Sequence, residues 1–206
     1  MPSVLFAEKE QDGVPKAFWV GIYFESINGL TKKVNWTPLR DVDMQAGAWS
    51  FELRVWSGFG LTPLDGIRLC RNGDEWTGFY VTEEYFKAQE YRQKHHLLTE
   101  NQKAFYALYQ DAKPLYTLKP KTDWEGLWKK VEALGILTLP DDSTLPNKGL
   151  VRDGICYVVE INDGGRYRTY MYDNPQFQKW PEAKKIIKII ETLRDEFLRS
   201  LPSRSF

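Results

Sequence analysis

The residues best suited to binding chemistry lie on one predicted hairpin. Residues 155–161 and 167–172 are rich in β-branched and aromatic side chains, and they flank Asn162-Asp163-Gly164-Gly165. Glycine takes the positive φ angles that a tight reversal needs, so this tetrapeptide predicts the turn. A two-residue loop at Asp163-Gly164 would mix apolar and charged groups on one face. We therefore predict a three-residue loop, Asn162 to Gly164, which separates them.

This register assigns every side chain of the hairpin to a face. The predicted core face carries Ile155, Tyr157, Val159, Ile161, Tyr167 and Met171. The other face carries Cys156, Val158, Glu160, Arg166, Arg168, Tyr170 and Tyr172. Because Arg and Tyr are enriched at binding hot spots, the candidate binding residues are Glu160, Arg166, Arg168, Tyr170 and Tyr172. The alternative is a solvated sheet face with a Glu160–Arg166 ion pair across the strands.

The sequence predicts no catalytic residue, no metal site and no cofactor. Its two histidines, His95 and His96, are adjacent and point in different directions on a helix or a strand, so they do not form a metal pair. Asp41 and Asp43 have too few oxygen ligands near them for a calcium loop. No nucleophile elbow, zinc or dinucleotide-binding motif is present in the sequence.

Composition narrows the choice of partner. The 206 residues include 28 basic and 28 acidic side chains, so there is no basic excess to attract nucleic acid. No apolar run approaches the ~18 residues of a membrane span. The chain as given is typical of a cytoplasmic protein, with a trimmed exported domain as the alternative. Cys70 and Cys156 fall in predicted strands, where free buried thiols are the common outcome, and a Cys70–Cys156 disulfide is the alternative.

Two helices and a second hairpin have clear signals. A capping box at Thr122 and Glu125 and a glycine stop at Gly135 predict a helix near 122–134. Its apolar stripe is Trp124, Leu127, Trp128, Val131 and Leu134. A second helix is predicted near 181–199, with Pro181 in its first turn. A hairpin over 67–81 reverses at Asn72-Gly73, and its change of apolar parity predicts a bulge near Gly78.

Three other segments carry weaker patterns. Residues 17–25 are dense in β-formers and predict a strand covered on both faces. The segment 83–101 has the composition of a helix but a ragged apolar face, so helix and strand both stay open. Residues 103–109 favour a strand. We treat residues 1–16 as a polar lead-in and 139–152 as a long loop.

These elements predict an α+β fold with a mainly antiparallel sheet of six to eight strands. The helices near 122–134 and 181–199 pack on one face of that sheet, and residues 1–206 form a single domain. We predict a non-catalytic binding or interaction module, with a protein, peptide or small polar ligand as its partner. One alternative is a hydrolase with carboxylate or tyrosine acid–base groups in a cleft. Another is a structural subunit, which requires an exposed apolar patch.

Overall fold

One antiparallel sheet organises the molecule. The computed structural model describes residues 13–59, 62–94, 96, 98–107, 113–146, 149, 154–197 and 199–201. The strands are β1 (Phe51–Gly58), β2 (Asp65–Asn72), β3 (Glu75–Thr82), β4 (Leu115–Leu118), β5 (Cys156–Asp163) and β6 (Arg166–Asp173). Their order across the sheet is β4-β3-β2-β1-β5-β6. The described helices are α1 (Trp19–Lys33), α2 (Glu83–Gln93), α3 (Glu100–Ala107), α4 (Trp124–Ala133) and α5 (Pro181–Phe197). The predicted α+β fold is confirmed, at about 40% helix and 26% strand.

Helices α4 and α5 cover one face of the sheet, as predicted. Phe51, Leu53 and Val55 alternate along β1 toward this face and join the same buried cluster as the α4 stripe. From α5 the cluster receives Ile186, Ile189, Ile190, Leu193 and Phe197. Ten or more large apolar side chains buried at roughly 1.5–3 kcal/mol each make this layer the main source of stability.

The start of α4 corrects the predicted capping box. Asp123, not Thr122, is the N-cap, and its carboxylate accepts a hydrogen bond from the Gly126 backbone N–H at 2.7 Å. Thr122 instead donates to the buried Glu196 carboxylate of α5 at 2.9 Å. Glu125 accepts a hydrogen bond from the Trp76 indole at 3.1 Å. Thr122 and Glu125 therefore bind Glu196 on α5 and Trp76 on β3, and the predicted capping box does not form.

Helix α1 lies on the opposite face and corrects the predicted strand at 17–25. Its buried residues, Trp19, Phe24, Ile27, Leu30 and Thr31, recur with the helical period. That period emerges only beyond Glu25, after the end of the predicted strand. The helix also lacks a side-chain cap at its N-terminus, since Phe18 occupies that position. The composition of residues 17–25 is therefore typical of a strand, whereas the spacing of buried residues over the whole of α1 is helical.

Helices α2 and α3 settle the ambiguous middle of the chain. Residues 83–93 are helical, and the Thr82 hydroxyl caps α2 by accepting from the Glu84 N–H at 3.2 Å. Residues 100–107 form α3, so the strand predicted over 103–109 is wrong as far as the structure describes it. Because α2 has few buried side chains, its apolar pattern was ragged. Exposed ion pairs such as Lys94–Glu90 at 2.8 Å lie along it instead.

The β2–β3 hairpin exists, but its predicted register and bulge are wrong. The loop is Gly73-Asp74, which pairs Asn72 with Glu75 and Leu69 with Gly78 without interruption. Gly78 has a different reason to be glycine. A Cβ added there would lie 2.6 Å from the Trp124 ring of α4. The missing side chain therefore lets the helix pack closely on β3.

The β5–β6 hairpin also has a different register from the predicted one. The loop is Gly164-Gly165, with φ angles of 58° and 89°, and it pairs Asp163 with Arg166 and Val159 with Tyr170. This shift of three residues inverts the faces of β6 but not those of β5. Tyr157, Val159 and Ile161 are core, as predicted, whereas Tyr167 and Met171 lie on the α1 side. Separation of charge from apolar surface failed as a criterion because Glu160 is buried on the α1 side, whereas Arg168 lies on the core side and donates to backbone carbonyls.

The outer edge of β6 is closed by backbone and carboxylate acceptors. Asp141 accepts a hydrogen bond from the Met171 N–H at 2.9 Å, and Asp142 accepts from the Asp173 N–H at 2.8 Å. The Gly13 carbonyl accepts from the Thr169 N–H at 2.9 Å. These contacts block an edge that would otherwise pair with another strand. The acidic pair Asp141-Asp142 is thus structural, and Asp153 lies outside the described residues.

Candidate functional site

The five predicted binding residues do not form one surface. Glu160 is buried on the α1 side, where its carboxylate accepts from the Trp56 indole at 2.6 Å and the Tyr167 hydroxyl at 2.8 Å. Arg166 is exposed beside the turn and lies 3.5 Å from Asp163, so the predicted Glu160–Arg166 pair is not formed. Tyr170 and Tyr172 are fully buried in the α4–α5 core. The binding role predicted for these residues is untested.

Arg168 and Tyr170 hold the segment that follows α4. The Arg168 guanidinium donates to the Leu137 carbonyl and, at 2.7 Å, to the Leu139 carbonyl. The Tyr170 hydroxyl donates to the Ile136 carbonyl at 2.7 Å. Burial raises the pKa of Tyr170 far above its ordinary value. Both side chains therefore satisfy buried backbone acceptors, a structural role that explains why their polar groups tolerate burial.

A buried ionic cluster on the α1 side was not predicted. Glu52 is fully buried and accepts from Arg54 at 2.6 Å and from Arg68 at 2.7 Å and 2.9 Å. The Trp36 ring lies 5.5 Å from the Arg54 guanidinium and 4.9 Å from that of Arg68. Burial alone would raise the pKa of Glu52, but the two arginines outweigh it and lower that pKa. Alternation along β1 places Glu52 and Arg54 on the same side of the sheet, but the sequence does not reveal that both are buried.

This cluster is closed rather than poised for a ligand. Both carboxylate oxygens of Glu52 accept hydrogen bonds from the arginines, and Arg54 also donates to the Thr37 carbonyl at 2.8 Å. Trp36 covers both guanidinium groups as a cation–π lid. The geometry therefore anchors the segment around 36–37 to the sheet, and it leaves Arg54 Nη1 buried without a hydrogen-bond partner among the described residues.

A polar chain joins α1 to the hairpin. The Tyr23 hydroxyl lies 3.3 Å from the Cys156 sulfur, and that thiol donates to the Asp173 carboxylate at 3.1 Å. Burial first, and then the hydrogen bond to Cys156, raises the pKa of Tyr23. A tyrosine shifted upward is a poorer acid near neutrality, so this chain does not supply the acid–base group of the hydrolase alternative. Both cysteines are free and buried, as predicted.

Asp65 is a carboxyl group whose pKa is raised toward neutrality. Burial, with a contribution from Glu84 and Glu83, raises the pKa of Asp65 to about 6. Such a value suits a general acid or base. However, Asp65 is partly buried at the start of β2, opposite Ser57 of β1 and Thr82 of β3. Asp65 does not line any of the three cavities described for the molecule.

The outer face of α1 is the most unusual surface of the described molecule. We define it by Phe18, Gly21, Ile22, Glu25, Ser26, Gly29, Lys32 and Lys33, all of which are exposed. Phe18 is 88% exposed and Ile22 is 49% exposed, and they lie one helical turn apart. Phe177 is the other large hydrophobic side chain that is exposed among the described residues. Two of these three side chains thus lie side by side on one helix.

A cleft opens beside the C-terminal half of this face. It has a volume of ≈ 330 Å³ and runs between α1, the connection after β1 and the start of α2. Ser26, Gly29 and Lys33 form the α1 wall, and Phe59 and Leu64 contribute apolar groups. On the opposite wall Glu83 lies 2.9 Å from Lys87 and accepts from the Leu64 N–H at 3.2 Å.

A second groove, between α4 and α5, has a different character. It has a volume of ≈ 380 Å³, and all of its lining side chains are charged or hydroxyl-bearing. They are Lys130, Lys188, Glu191, Thr192, Asp195 and Glu196. Many are already paired, as in Lys130–Glu196 at 2.6 Å and Lys188–Glu191 at 3.3 Å. Of these two grooves, the cleft beside α1 is the one that joins apolar groups to an exposed apolar helix face.

The described residues show neither a metal-binding cluster nor a membrane-spanning helix. They contain no group of three or more His, Cys, Asp or Glu side chains placed to hold a metal ion. None of the helices described has the length and apolar character needed to cross a bilayer. His96 is exposed, whereas His95 lies outside the described residues.

Comparison with known proteins adds no assignment: the chain matches no family model, no curated protein and no solved structure. The function must therefore be argued from the surface itself. The sequence did contain a signal for that surface, because Phe18, Ile22 and Gly29 share one side of a 3.6-residue period. The strand assignment for 17–25 concealed it.

Proposed function

We propose that this protein is a non-catalytic protein-interaction module that docks a partner on the outer face of α1. The observation that carries the proposal is the adjacent exposure of Phe18 and Ile22. Monomeric soluble proteins rarely expose contiguous apolar patches larger than a few hundred Å², and the largest patch on a monomer is often an interaction site. Burying these two side chains in a complex would contribute roughly 1.5–3 kcal/mol each.

The glycines of α1 support the same conclusion. Glycine inside a helix costs about 0.8–1 kcal/mol relative to alanine, and α1 contains Gly21 and Gly29. A Cβ added at either position would meet nothing within 4 Å. Neither glycine is therefore needed for packing within the described fold, in contrast to Gly78. A partner whose backbone approaches α1 closely provides the missing reason for them.

The shape and charge of the face define the partner's chemistry. The apolar end at Phe18 and Ile22 requires apolar side chains or a shallow pocket in the partner. The open end at Ser26 and Gly29 accepts a projecting side chain, which can extend into the adjoining cleft. Lys33 lies at the C-terminal end of the face, and its ammonium is 5.4 Å from the centre of the Phe86 ring. The partner surface is thus an apolar helix or loop that tolerates a lysine at one end.

A quantitative capture experiment tests the proposal. The wild type and the Phe18→Lys/Ile22→Lys variant serve as bait, and bound proteins are quantified by mass spectrometry. We expect at least one specific partner to be lost from the α1 variant, because a lysine pair cannot be buried in an apolar interface. The matched control is Phe177→Lys, which charges an exposed hydrophobic residue elsewhere and should leave capture unchanged.

The same experiment distinguishes the α1 face from the hairpin. Arg166→Ala removes the most exposed of the binding residues predicted from sequence. Loss of the partner with Arg166→Ala but not with the α1 variant would move the site to the hairpin. Identical capture by all variants would remove the α1 face as a binding site, provided circular dichroism shows that each variant folds.

A further inference from the structure

A residue with a strained backbone lines the cleft beside α1. Phe59 has a φ angle of 67°, a left-handed conformation that a bulky aromatic residue rarely adopts. It follows Gly58, whose φ angle is 117° and where a Cβ would collide with the Pro63 carbonyl oxygen. The Phe59 ring stacks on the Tyr23 ring, with 4.4 Å between the ring centres. Because such strain clusters at ligand-binding and active sites, the conformation of Phe59 indicates that this cleft has a use.

The wall of the cleft opposite α1 is fixed by two hydrogen bonds between Leu64 and Glu83. The Glu83 N–H donates to the Leu64 carbonyl at 2.8 Å, and the Leu64 N–H donates to the Glu83 carboxylate at 3.2 Å. The Thr82 hydroxyl accepts the Glu84 N–H, so the first two amides of α2 are already bound. A ligand in the cleft is therefore held by side chains and not by the amides of a helix terminus.

The charged side chains of the cleft favour an anion. Two of the lining side chains are lysines, Lys33 and Lys87, and one is a glutamate, Glu83, so their net charge is +1. The Glu83 carboxylate lies 2.9 Å from the Lys87 ammonium. The Lys33 ammonium on the α1 wall instead lies 5.4 Å from the centre of the Phe86 ring. One negative charge on a ligand would balance the cleft.

The apolar and the charged groups of the cleft lie at opposite ends. Phe59 stacks against Tyr23, whereas Lys33 lies ten residues further along α1, about 15 Å along the helix axis. Long side chains of a helix lean toward its N-terminus, which shortens this gap. A ligand that contacts both ends is therefore elongated, with an apolar group at one end and an anionic group at the other.

We infer that the cleft binds a small organic acid, with a flat apolar group against Phe59 and a carboxylate beside Lys33. The volume of ≈ 330 Å³ lies at the lower end of the range for small-molecule pockets, which suits a single ring with a short acidic chain. Aromatic rings stack favourably on the ring of Phe59. The inference does not rest on the proposed function, because Phe18 and Ile22 do not line the cleft.

Gly29 keeps the α1 wall of the cleft open. It lines the cleft, and a Cβ built there meets no atom within 4 Å. A larger side chain at this position therefore enters the cleft without pressing on the fold. Substitution of Gly29 thus provides a way to fill the site while the rest of the molecule stays intact.

Titration of the isotope-labelled full chain with phenylpropionate, followed through the amide chemical shifts, tests the inference. We expect shifts at Gly29, Leu64 and Lys87, which line the cleft. Phenylpropionamide has the same ring without the charge, and propionate has the charge without the ring. Each should bind at least ~fivefold more weakly than phenylpropionate.

Variants of the two walls sharpen the test. Gly29→Leu should weaken binding of phenylpropionate at least ~tenfold, because it fills the cleft. Lys33→Gln should weaken it about fivefold, and Lys33→Arg should retain it, since the charge is kept. The matched control is Lys32→Gln, which removes the neighbouring exposed charge outside the cleft and should leave binding unchanged.

Three results would overturn the inference. They are an absence of shifts at the cleft residues, equal affinity for the acid and its amide, and equal weakening by Lys32→Gln and Lys33→Gln. The Phe18→Lys/Ile22→Lys variant should bind phenylpropionate as the wild type does. Loss of partner capture and loss of acid binding are therefore separate results, and the proposed function and this inference fail independently.

Discussion

Helices α1 and α4 cover opposite faces of one sheet, yet only α4 is fully explained by the fold that contains it. Every large apolar side chain of α4 lies wholly or partly buried in the core, and Asp123 caps its first turn. Helix α1 begins without a side-chain cap and keeps two glycines that its own packing does not require. It also exposes Phe18 and Ile22. The difference indicates that the composition of α1 serves something outside the described fold.

The two helix layers also treat charge differently. Beneath α4 and α5 the sheet buries almost only apolar groups, and Arg168 is satisfied by backbone carbonyls. On the α1 side it buries Glu52 and Arg54 in a closed ionic cluster. Replacing one member of a buried ion pair is strongly destabilising, whereas the intact pair contributes little over apolar packing. A buried ion pair therefore stabilises the sheet side that faces α1, whereas apolar burial stabilises the side that faces α4 and α5.

The largest expected effect contrasts a buried and an exposed aromatic residue. Trp128→Ala should lower the free energy of unfolding by about 3–5 kcal/mol, because it opens a cavity against Phe51 and Trp76. Phe18→Ala should change it by no more than about 0.5 kcal/mol. Urea denaturation of the two variants measures both values. A large loss with Phe18→Ala would mean that α1 is explained by internal packing after all.

The second effect concerns the ionic cluster. Glu52→Gln should lower the free energy of unfolding at pH 7 by about 3–5 kcal/mol, since Arg54 and Arg68 lose their buried counter-charge. The pKa of Glu52 is lowered in the folded state, so its stabilisation is present above the unfolded value of 4.5 and is lost as the pH falls through the folded value. The gap between wild type and variant should therefore narrow in acid.

An unchanged gap between pH 7 and strong acid would show that Glu52 stabilises by packing alone. Glu191→Gln on the surface of α5 is the control, because its partner Lys188 is exposed and the pair is worth less than about 1 kcal/mol.

Asp65 should show the opposite dependence on pH. Its pKa is raised from 3.8 to about 6, so its neutral form is favoured in the fold and stability falls as the pH rises through 6. Asp65→Asn cannot ionise. We expect it to be about 1–3 kcal/mol more stable than wild type at pH 8 and equal to it near pH 4. Thermal unfolding at the two pH values tests this, and a benefit that persists at pH 4 would contradict it.

The smallest effect compares two glycines. Gly78→Ala should destabilise the fold by about 1–3 kcal/mol, because its Cβ would press on the Trp124 ring. Gly29→Ala should stabilise the isolated chain by about 0.5–1 kcal/mol, since it removes the cost of a glycine within a helix. If both substitutions changed the free energy of unfolding in the same direction, the contrast between Gly78, which α4 packs against, and Gly29 of α1 would be wrong.

Sequence reasoning succeeded where local pattern and tertiary packing agree. The α4 stripe follows one helical period and packs against the sheet core, so its face was predicted correctly. It failed where contacts between residues distant in the sequence determine the structure. Thr122 binds Glu196 on α5, and the register of β6 follows from burial of Tyr170 together with backbone acceptors for Arg168.

The candidate site was missed for a related reason. Nine residues from Ala17 to Glu25 contain enough β-formers to predict a strand, and only the next turn of the sequence reveals the helical period. Exposure is not visible in the sequence, because Phe18 has the same chemistry as the buried Phe24 beside it. The prediction of an interaction module stays a prediction, now attached to a different surface.

The most direct test places a photo-activatable cross-linking amino acid at Phe18 in one sample and at Phe177 in another. Both residues are exposed, so the two samples differ only in the surface that is probed. If the outer face of α1 docks a protein, irradiation will give a discrete cross-linked product from position 18 and none from position 177. Equal products from both positions, or none from position 18, would contradict the account.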